Sequence, residues 1–151
     1  MGGHTSQILR LVDKMDERHE LVYLICTDDK TSKAKIRKQG PIYYMKNPRD
    51  MKDKFVGTVA FKMIPATRDV IKVLNHAKPD VVICSGPSMA IPLFWIARFK
   101  GIKTIFLESW VRVHNKSQAG RFVSKVTDLF IVQWKSMLHQ YPNAKYKGRL
   151  S

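Results

Sequence analysis

The residues best suited to chemistry stand at the start of the chain, where Gly2-Gly3-His4 runs directly into a predicted helix. Two glycines let the backbone approach an anion closely, and a helix N-terminus offers unpaired N–H groups at the positive end of its dipole. His4 adds an imidazole that can donate to a phosphate or accept a proton. The pattern predicts a phosphate-binding turn, although the same residues in isolation are more typical of a loose terminus.

Two further groups of reactive side chains follow apolar runs that resemble buried strands. Ser85-Gly86-Pro87-Ser88 combines a flexible glycine with a hydroxyl at a helix start, which suits a phosphate or a sugar hydroxyl but is equally typical of an ordinary capped loop. Glu108 ends the second apolar run, where a carboxylate can accept a proton from a substrate hydroxyl. The alternative for Glu108 is a salt bridge to Arg112.

The elements that must position these residues alternate regularly. Continuous apolar runs predict strands at residues 21–27, 80–85, 103–107 and 128–133, with a weaker one at 41–45. Helices are predicted from Thr5 or Ser6 to about residue 18, from Thr67, and over 88–99, 117–126 and 134–140; residues 51–64 are expected to be helical in part, interrupted by Gly57 and Pro65. This alternation indicates a single doubly wound α/β domain with a parallel sheet, whose ligands bind at the carboxyl ends of the strands.

The net charge of the chain indicates what kind of partner it binds. The 151 residues include 27 Lys and Arg against 12 Asp and Glu, a formal charge of +15, so an anionic partner is expected. Nucleic acid, an anionic membrane surface and a phosphorylated substrate all fit, but no nucleic-acid motif is present. Cys26 and Cys84 lie in apolar runs and are interpreted as buried hydrophobes in a reducing compartment. No Cys/His spacing predicts a metal site, and no dinucleotide fingerprint predicts a cofactor.

The predicted helix over residues 88–99 is apolar on nearly all sides. Such a helix is buried, meets a partner or touches lipid. Phe94 and Trp95, flanked by Arg98 and Lys100, have the composition of a membrane interface. We therefore expect one face of this helix to contact a membrane, while its other side chains enter the core.

Taken together, several blocks along the chain resemble a known family, the acceptor-side subunit of the two-subunit UDP-GlcNAc transferase of lipid-linked oligosaccharide synthesis (the Alg14 family), with its bacterial capsule and exopolysaccharide relatives. The resemblance covers nearly the whole chain. It is carried by the blocks Gly2-Gly3-His4-Thr5, Ser85-Gly86-Pro87, Glu108-Ser109-x-x-Arg112, Ser117-x-x-Gly120, Val132-Gln133-Trp134 and Tyr141-Pro142.

The resemblance implies the N-terminal half of a GT-B glycosyltransferase similar to MurG, at the cytoplasmic face of a membrane. A separate Alg13-like subunit would bind the nucleotide sugar, and the acceptor would be a polyprenyl-diphosphate-linked sugar. No metal or cofactor is implied. The residues given roles are Gly2, Gly3 and Thr5 for the acceptor diphosphate, Ser85, Gly86, Ser88, Ser109 and Arg112 for the acceptor cleft, and His4 or Glu108 for the catalytic base.

The family pattern also has an apolar strand before its Gly-Gly-His turn, and Met1 stands in that place here. We therefore expect an N-terminally truncated domain that lacks the central strand between residues 21–27 and 80–85, and that is inactive without its donor-binding partner. Two other functions stay open. One alternative is a non-catalytic scaffold that recruits a soluble catalytic subunit to a membrane. The other, which the motifs support less, is a basic nucleic-acid-binding domain.

Overall fold

Parallel strands arranged in two sheets form the frame of the protein in the computed structural model, which describes residues 3–48, 56–86 and 88–150, with the side chains of residues 56–62 excepted. The strands are β1 (Tyr23–Cys26), β2 (Ile42–Met45), β3 (Val81–Cys84), β4 (Lys103–Leu107), β5 (Leu129–Val132) and β6 (Lys145–Tyr146). The helices are α1 (Gly3–Asp13), α2 (Val56–Ala77), α3 (Ala90–Phe99) and α4 (Gln118–Val123), with 3₁₀ turns at Lys33–Lys35 and Lys135–His139.

The sheet order confirms the predicted α/β class. One sheet pairs β1 with β2, and the other runs β3-β4-β5-β6, with every pairing parallel. In the described residues, β1 and β3 each end a sheet and share no ladder with one another.

The core lies between the larger sheet and the helices that cover it. Phe94 of α3 and Phe106 of β4 are both fully buried, with their rings edge-on at 5.7 Å. Phe130 continues the stack toward Tyr141, at centroid distances of 5.0 and 4.4 Å. Burying each large apolar side chain contributes about 1.5–3 kcal/mol, so this aromatic stack anchors α3 to the sheet.

Two predicted helix boundaries were wrong. α1 begins at Gly3 and ends at Asp13, so Thr5 and Ser6 lie inside it rather than capping it. The interruption predicted at Pro65 does not occur, since α2 passes through it. Proline inside a helix costs about 3 kcal/mol, but Ala66, Val70 and Leu74 follow it on one buried face. Their packing against the core offsets the lost backbone hydrogen bond.

The sequence did not predict β6, because a charged residue beside a tyrosine carries no apolar signal. β6 nevertheless extends the sheet, with Lys145 opposite Ile131 and Tyr146 opposite Val132. The strand predicted over residues 103–107 matches β4 residue for residue. The carboxyl ends of β3, β4 and β5 therefore share one edge, and the segments after those strands form the site described next.

Candidate functional site

The N-terminal part of α1 lies at the carboxyl edge of both sheets. On one side the Thr5 hydroxyl is 2.7 Å from that of Ser32, in the loop after β1. On the other side Ser85, directly after β3, donates its hydroxyl to the backbone carbonyl of His4 at 3.2 Å. The start of α1 is therefore held between the loops that follow β1 and β3, which fixes the direction in which its first N–H groups point.

A buried amide network fixes the next turn of the same helix. The Gln7 side chain is fully buried and donates to the Ser109 hydroxyl at 3.3 Å. Gln133, after β5, donates to the side-chain oxygen of Gln7 at 3.1 Å and to the backbone carbonyl of Glu108 at 2.9 Å. These contacts tie α1 to the ends of β4 and β5, because a buried amide left without partners costs about 1–3 kcal/mol.

The imidazole of His4 also lies at this edge. Its Nδ1 is buried and, among the described residues, is the one buried side-chain polar atom without a hydrogen-bond partner. The ring lies against Gly86, where φ is +80° and a Cβ would overlap Nδ1 and Cε1. Only glycine meets both demands, so Gly86 is required for the close approach of the ring.

The charge state of His4 follows from its surroundings. Burial lowers the pKa of His4, the negative charge of Glu108 opposes this, and the positive charge of Arg112 lowers it again. With a pKa below its ordinary value of about 6.5, the imidazole is neutral at pH 7. A neutral imidazole with an unpaired nitrogen can accept a proton, or a hydrogen bond from a ligand hydroxyl.

Glu108 lies nearby and, unlike Nδ1 of His4, is hydrogen-bonded to the protein through both of its carboxylate oxygens. Its side chain is fully buried. One carboxylate oxygen accepts the backbone N–H of Ser109 at 2.9 Å, and the other accepts the Ser117 hydroxyl at 2.9 Å and the Tyr141 hydroxyl at 2.8 Å. The backbone N–H of Ser117 adds a longer contact of 3.3 Å. Protein donors thus satisfy both oxygens, so Glu108 acts here as a structural anchor.

This cluster explains the spacing of two motifs. Ser117 caps α4 by accepting the backbone N–H of Gly120 at 2.9 Å, while its own hydroxyl donates to Glu108. A Cβ at Gly120 would overlap the Tyr141 hydroxyl and the Glu108 carboxylate. Burial, followed by the charge of Glu108, raises the pKa of Tyr141, so its hydroxyl stays protonated and donates. The Ser-x-x-Gly and Tyr-Pro blocks therefore serve the buried carboxylate.

The other predicted site residues divide between these two environments. Gly2 lies outside the described residues. Gly3 starts α1, is exposed, and has open space around it within the described part of the chain, whereas the Thr5 hydroxyl is engaged by Ser32. Ser85 and Ser109 are buried and bonded to the protein. The remaining cleft candidates reach the surface: Ser88 is half-buried and Arg112 is exposed.

The predicted membrane group is not brought to this edge, and one of its members is wrong. Phe94 is fully buried in the aromatic core, so it cannot touch lipid. Trp95 and Phe99 are 37% and 83% exposed, with ring centroids 6.4 Å apart. Arg98 pairs with Asp128 at 3.4 Å. The exposed aromatic residues at the end of α3 are therefore Trp95 and Phe99, not Phe94. They lie at the amino-terminal edge of the strands, opposite the edge that holds His4.

Lys100 completes that surface at the end of α3, where its ammonium group donates to Asn75 at 2.6 Å. The described residues contain no helix that is both long and apolar enough to cross a membrane. Within the same residues, no three metal-ligating side chains lie together as a metal site would require.

The sequence analysis did not single out Gln7, and it placed Gln133 at the end of a strand and in a family block without giving it a role. Nothing in the helical periodicity of α1 separates a buried glutamine from an exposed one. The available signal was Gln133, an amide directly after the apolar strand at 129–132, where an isolated polar group needs a buried partner.

Comparison with solved structures gives the class of fold. The chain superposes on a crystal structure of Acinetobacter baumannii MurG with a TM-score of 0.70 and 19% identity, over 87% of this chain and 38% of the MurG chain. The fold is thus that of one part of a GT-B glycosyltransferase. The chain spans well under half of the MurG chain, so the likeness concerns architecture alone.

The family follows from the sequence. The family described as "Oligosaccharide biosynthesis protein Alg14 like" matches residues 1–150, so the chain belongs to the Alg14-like family. Relatives include the human UDP-N-acetylglucosamine transferase subunit ALG14, 29% identical over 99% of this chain and 79% of the relative. The Candida albicans subunit of the same name is 31% identical over 99% of this chain and 74% of its own length. The family predicted from the motif blocks is confirmed.

Proposed function

We propose that this chain is the acceptor-binding subunit of a heteromeric glycosyltransferase. It would transfer GlcNAc, or a related sugar, from a UDP-sugar to a polyprenyl-diphosphate-linked sugar at the cytoplasmic face of a membrane. Family membership supports the reaction class, and the word "subunit" in the names of its relatives supports a second chain. The observation that carries the proposal is the imidazole of His4 at the carboxyl edge of the sheet, with a lowered pKa and an Nδ1 that has no hydrogen-bond partner among the described residues.

His4 serves as the general base in this proposal. The acceptor hydroxyl oxygen attacks the anomeric carbon of the donor sugar, the bond from that carbon to the UDP oxygen breaks, and UDP leaves with the bonding electrons. The hydroxyl proton passes to the free imidazole nitrogen, giving an imidazolium next to Glu108, whose negative charge stabilises it. Attack opposite the leaving group inverts the anomeric configuration.

Glu108, the other candidate base, positions the site in this proposal. Its oxygens already accept the Ser109 N–H and the Ser117 and Tyr141 hydroxyls, which tie the carboxylate to the protein. His4 is favoured as the base because its Nδ1 accepts no hydrogen bond from the described residues. Glu108 then acts through the fixed position of the loop after β4.

The acceptor diphosphate would bind at the start of α1. Gly3 is exposed with open space around it, and the first N–H groups of the helix have no intrahelical partners. Gly2 extends this turn in the sequence. Thr5 contributes through its backbone, since its hydroxyl faces Ser32. Ser88 and the exposed Arg112 would line the cleft around the acceptor sugar, and Ser85, Gly86 and Ser109 would hold its walls.

Membrane association would use the surface at the end of α3. Trp95 and Phe99 offer exposed aromatic rings, and Arg98 and Lys100 offer cations. Each exposed cation near an anionic membrane contributes about 1 kcal/mol, which adds to the chain's excess positive charge. This surface would hold the subunit at the membrane that contains its lipid-linked acceptor.

The test is a transfer assay on the subunit purified with the donor-binding chain that it recruits in its own cell. The complex is given radiolabelled UDP-GlcNAc and a short-chain prenyl-diphosphate GlcNAc. We expect label in the lipid-linked product, with none formed by either chain alone. Failure of the verified complex to label any lipid-linked sugar would overturn the proposal. Transfer that survives the removal of this chain would show it to be a scaffold.

A further inference from the structure

A cavity of about 340 Å³ opens beside α1 at the same edge of the sheet as His4. It is lined by Arg10, Trp110, Trp134 and Arg149. Trp110 and Trp134 follow β4 and β5, Arg10 stands on α1, and Arg149 belongs to the segment after β6. A cavity of this size holds a small ligand, and the role proposed above for the start of α1 makes no use of it.

Each arginine of this cavity stacks on an indole. The Arg10 guanidinium carbon lies 5.2 Å from the ring centre of Trp110, and that of Arg149 lies 5.0 Å from the ring centre of Trp134. Stacking occupies the flat face of a guanidinium but leaves its in-plane N–H groups free to donate. Neither arginine has an acidic partner among the ion pairs of the described residues. The cavity therefore presents two stacked cations whose charge no acidic side chain of the described residues neutralises.

The buried amide network makes these positions rigid. Gln7 lies one turn before Arg10, and Gln133 directly precedes Trp134. The side-chain oxygen of Gln133 accepts the backbone N–H of Leu150, the residue after Arg149, at 3.1 Å. The indole N–H of Trp134 donates to the backbone carbonyl of Trp110. The two tryptophans are thus joined by a hydrogen bond, the neighbours of both arginines belong to the amide network, and each arginine is stacked on an indole before any ligand arrives, which lowers the entropy cost of binding.

We propose that this cavity, the Arg-Trp site, binds the diphosphate group of a sugar diphosphate. The inference rests on the glycosyltransferase function proposed above. Guanidinium groups bind phosphate oxygens in pairs through their in-plane N–H groups, and the indoles provide apolar walls for an attached sugar or base. None of the four described lining residues carries a carboxylate that would repel an anion.

The Arg-Trp site is separate from the turn at the start of α1. Arg10 is seven residues beyond Gly3, which is about 10 Å along the helix, so the two sites lie on different turns of α1. The reaction has two diphosphate-bearing substrates, the nucleotide sugar and the lipid-linked acceptor. The Arg-Trp site serves one of the two: it either contacts the diphosphate of the nucleotide sugar that the donor-binding partner holds, or takes the acceptor diphosphate together with the start of α1.

Intrinsic fluorescence tests this site directly, because Trp95, Trp110 and Trp134 are the three tryptophans of the chain. In a W95F background only the cavity indoles report. Sodium pyrophosphate is titrated into W95F, into W95F with R10Q and R149Q, and into W95F with K14Q and K147Q. The last variant removes the same charge from two exposed lysines outside the cavity.

We expect saturable quenching by pyrophosphate in W95F and in the lysine control, and at least tenfold weaker binding in the arginine variant. Equal binding by the arginine variant and W95F, equal weakening in the lysine control, or no saturable change in W95F would each overturn the proposal. Parallel titrations with UDP-GlcNAc and with a short-chain prenyl-diphosphate GlcNAc identify the substrate by the tighter arginine-dependent binding. The readout needs no sugar transfer, so this site and the proposed reaction can fail independently.

Discussion

His4 and Glu108 lie at the same edge of the sheet, close enough for their charges to interact, yet their hydrogen bonding differs completely. Glu108 is fully buried and has protein donors on both oxygens. His4 has a buried nitrogen without a hydrogen-bond partner in the described part of the chain. An isolated buried polar atom costs about 1–3 kcal/mol, a cost the protein avoids at Glu108 and accepts at His4.

In the function proposed above, the difference separates a structural acid from a general base. The Glu108 carboxylate already accepts hydrogen bonds and holds Ser117, Gly120 and Tyr141 together. A desolvated imidazole whose Nδ1 has no partner among the described residues is suited to accept a substrate proton. The sequence pattern could not separate the two roles, because both residues follow apolar runs or glycines at the ligand edge.

The largest effect on activity is expected from H4Q. Loss of a general base lowers transfer about 10²–10⁴-fold. Because Nδ1 makes no hydrogen bond to the protein, the free energy of unfolding should change little. Transfer kinetics and thermal unfolding of the same preparation measure both. The matched control is H19Q, at an exposed histidine, which should keep full activity. Equal losses in H4Q and H19Q would remove His4 from the reaction.

The largest effect on stability is expected from E108L. The substitution leaves the Ser117 and Tyr141 hydroxyls and two backbone N–H groups without their acceptor, at a cost of about 3–5 kcal/mol. Urea unfolding gives the value. Y141F, which removes one of these donors, should cost about 1 kcal/mol. If E108L unfolded like the wild type, the anchoring role assigned to Glu108 would be wrong.

The next effect in size is expected from G86A, for which G101A is the control. Both glycines have positive φ, +80° and +72°, so both variants carry about 1–2 kcal/mol of backbone strain. A Cβ at Gly101 meets nothing within 4 Å in the described part of the chain, whereas at Gly86 it overlaps the His4 ring. G86A alone should therefore lose transfer activity, by tenfold or more, in the assay used for H4Q. Parallel behaviour of the two variants would argue against the His4–Gly86 contact.

The smallest effect is expected from F99S at the surface remote from His4. Loss of one exposed aromatic ring should weaken binding to anionic lipid vesicles about tenfold, in proportion to its transfer free energy. Sedimentation with vesicles provides the measurement. Y44S removes an exposed aromatic residue from β2 and should bind as the wild type does. Reduced binding by Y44S but not by F99S would place the membrane surface elsewhere.

The sequence predicts the fold well where burial alone decides it. The continuous apolar run at 103–107 becomes β4, because a strand covered on both faces needs no polar alternation. Local rules failed where packing overrode them: the buried face formed by Ala66, Val70 and Leu74 carries α2 through Pro65. Tyr146 forms part of β6 because it pairs with Val132 of β5, a tertiary contact that the local sequence does not indicate.

The site was predictable in location but not in its division of roles. The sequence pattern pointed to the carboxyl edge of the sheet for both groups, and the structure places His4 and Glu108 at that edge. The saturation of Glu108 depends on Ser117 and Tyr141, which are 9 and 33 residues away in sequence. Phe94 is buried and Phe99 is exposed because of the face on which α3 packs against the sheet. The composition of a helix that is apolar on nearly all sides does not indicate which face that is.

The pH dependence of kcat/KM for sugar transfer, measured on the wild-type complex and on its H4Q variant, tests His4 as the base most directly. Transfer needs the neutral imidazole, and burial lowers the pKa of His4 below about 6.5. The wild-type rate should therefore be flat above pH 6.5 and fall tenfold per pH unit once the pH drops below that lowered pKa. H4Q should lack this acidic limb and retain only a small residual rate. An acidic limb that persists unchanged in H4Q would contradict the assignment of His4 as the base.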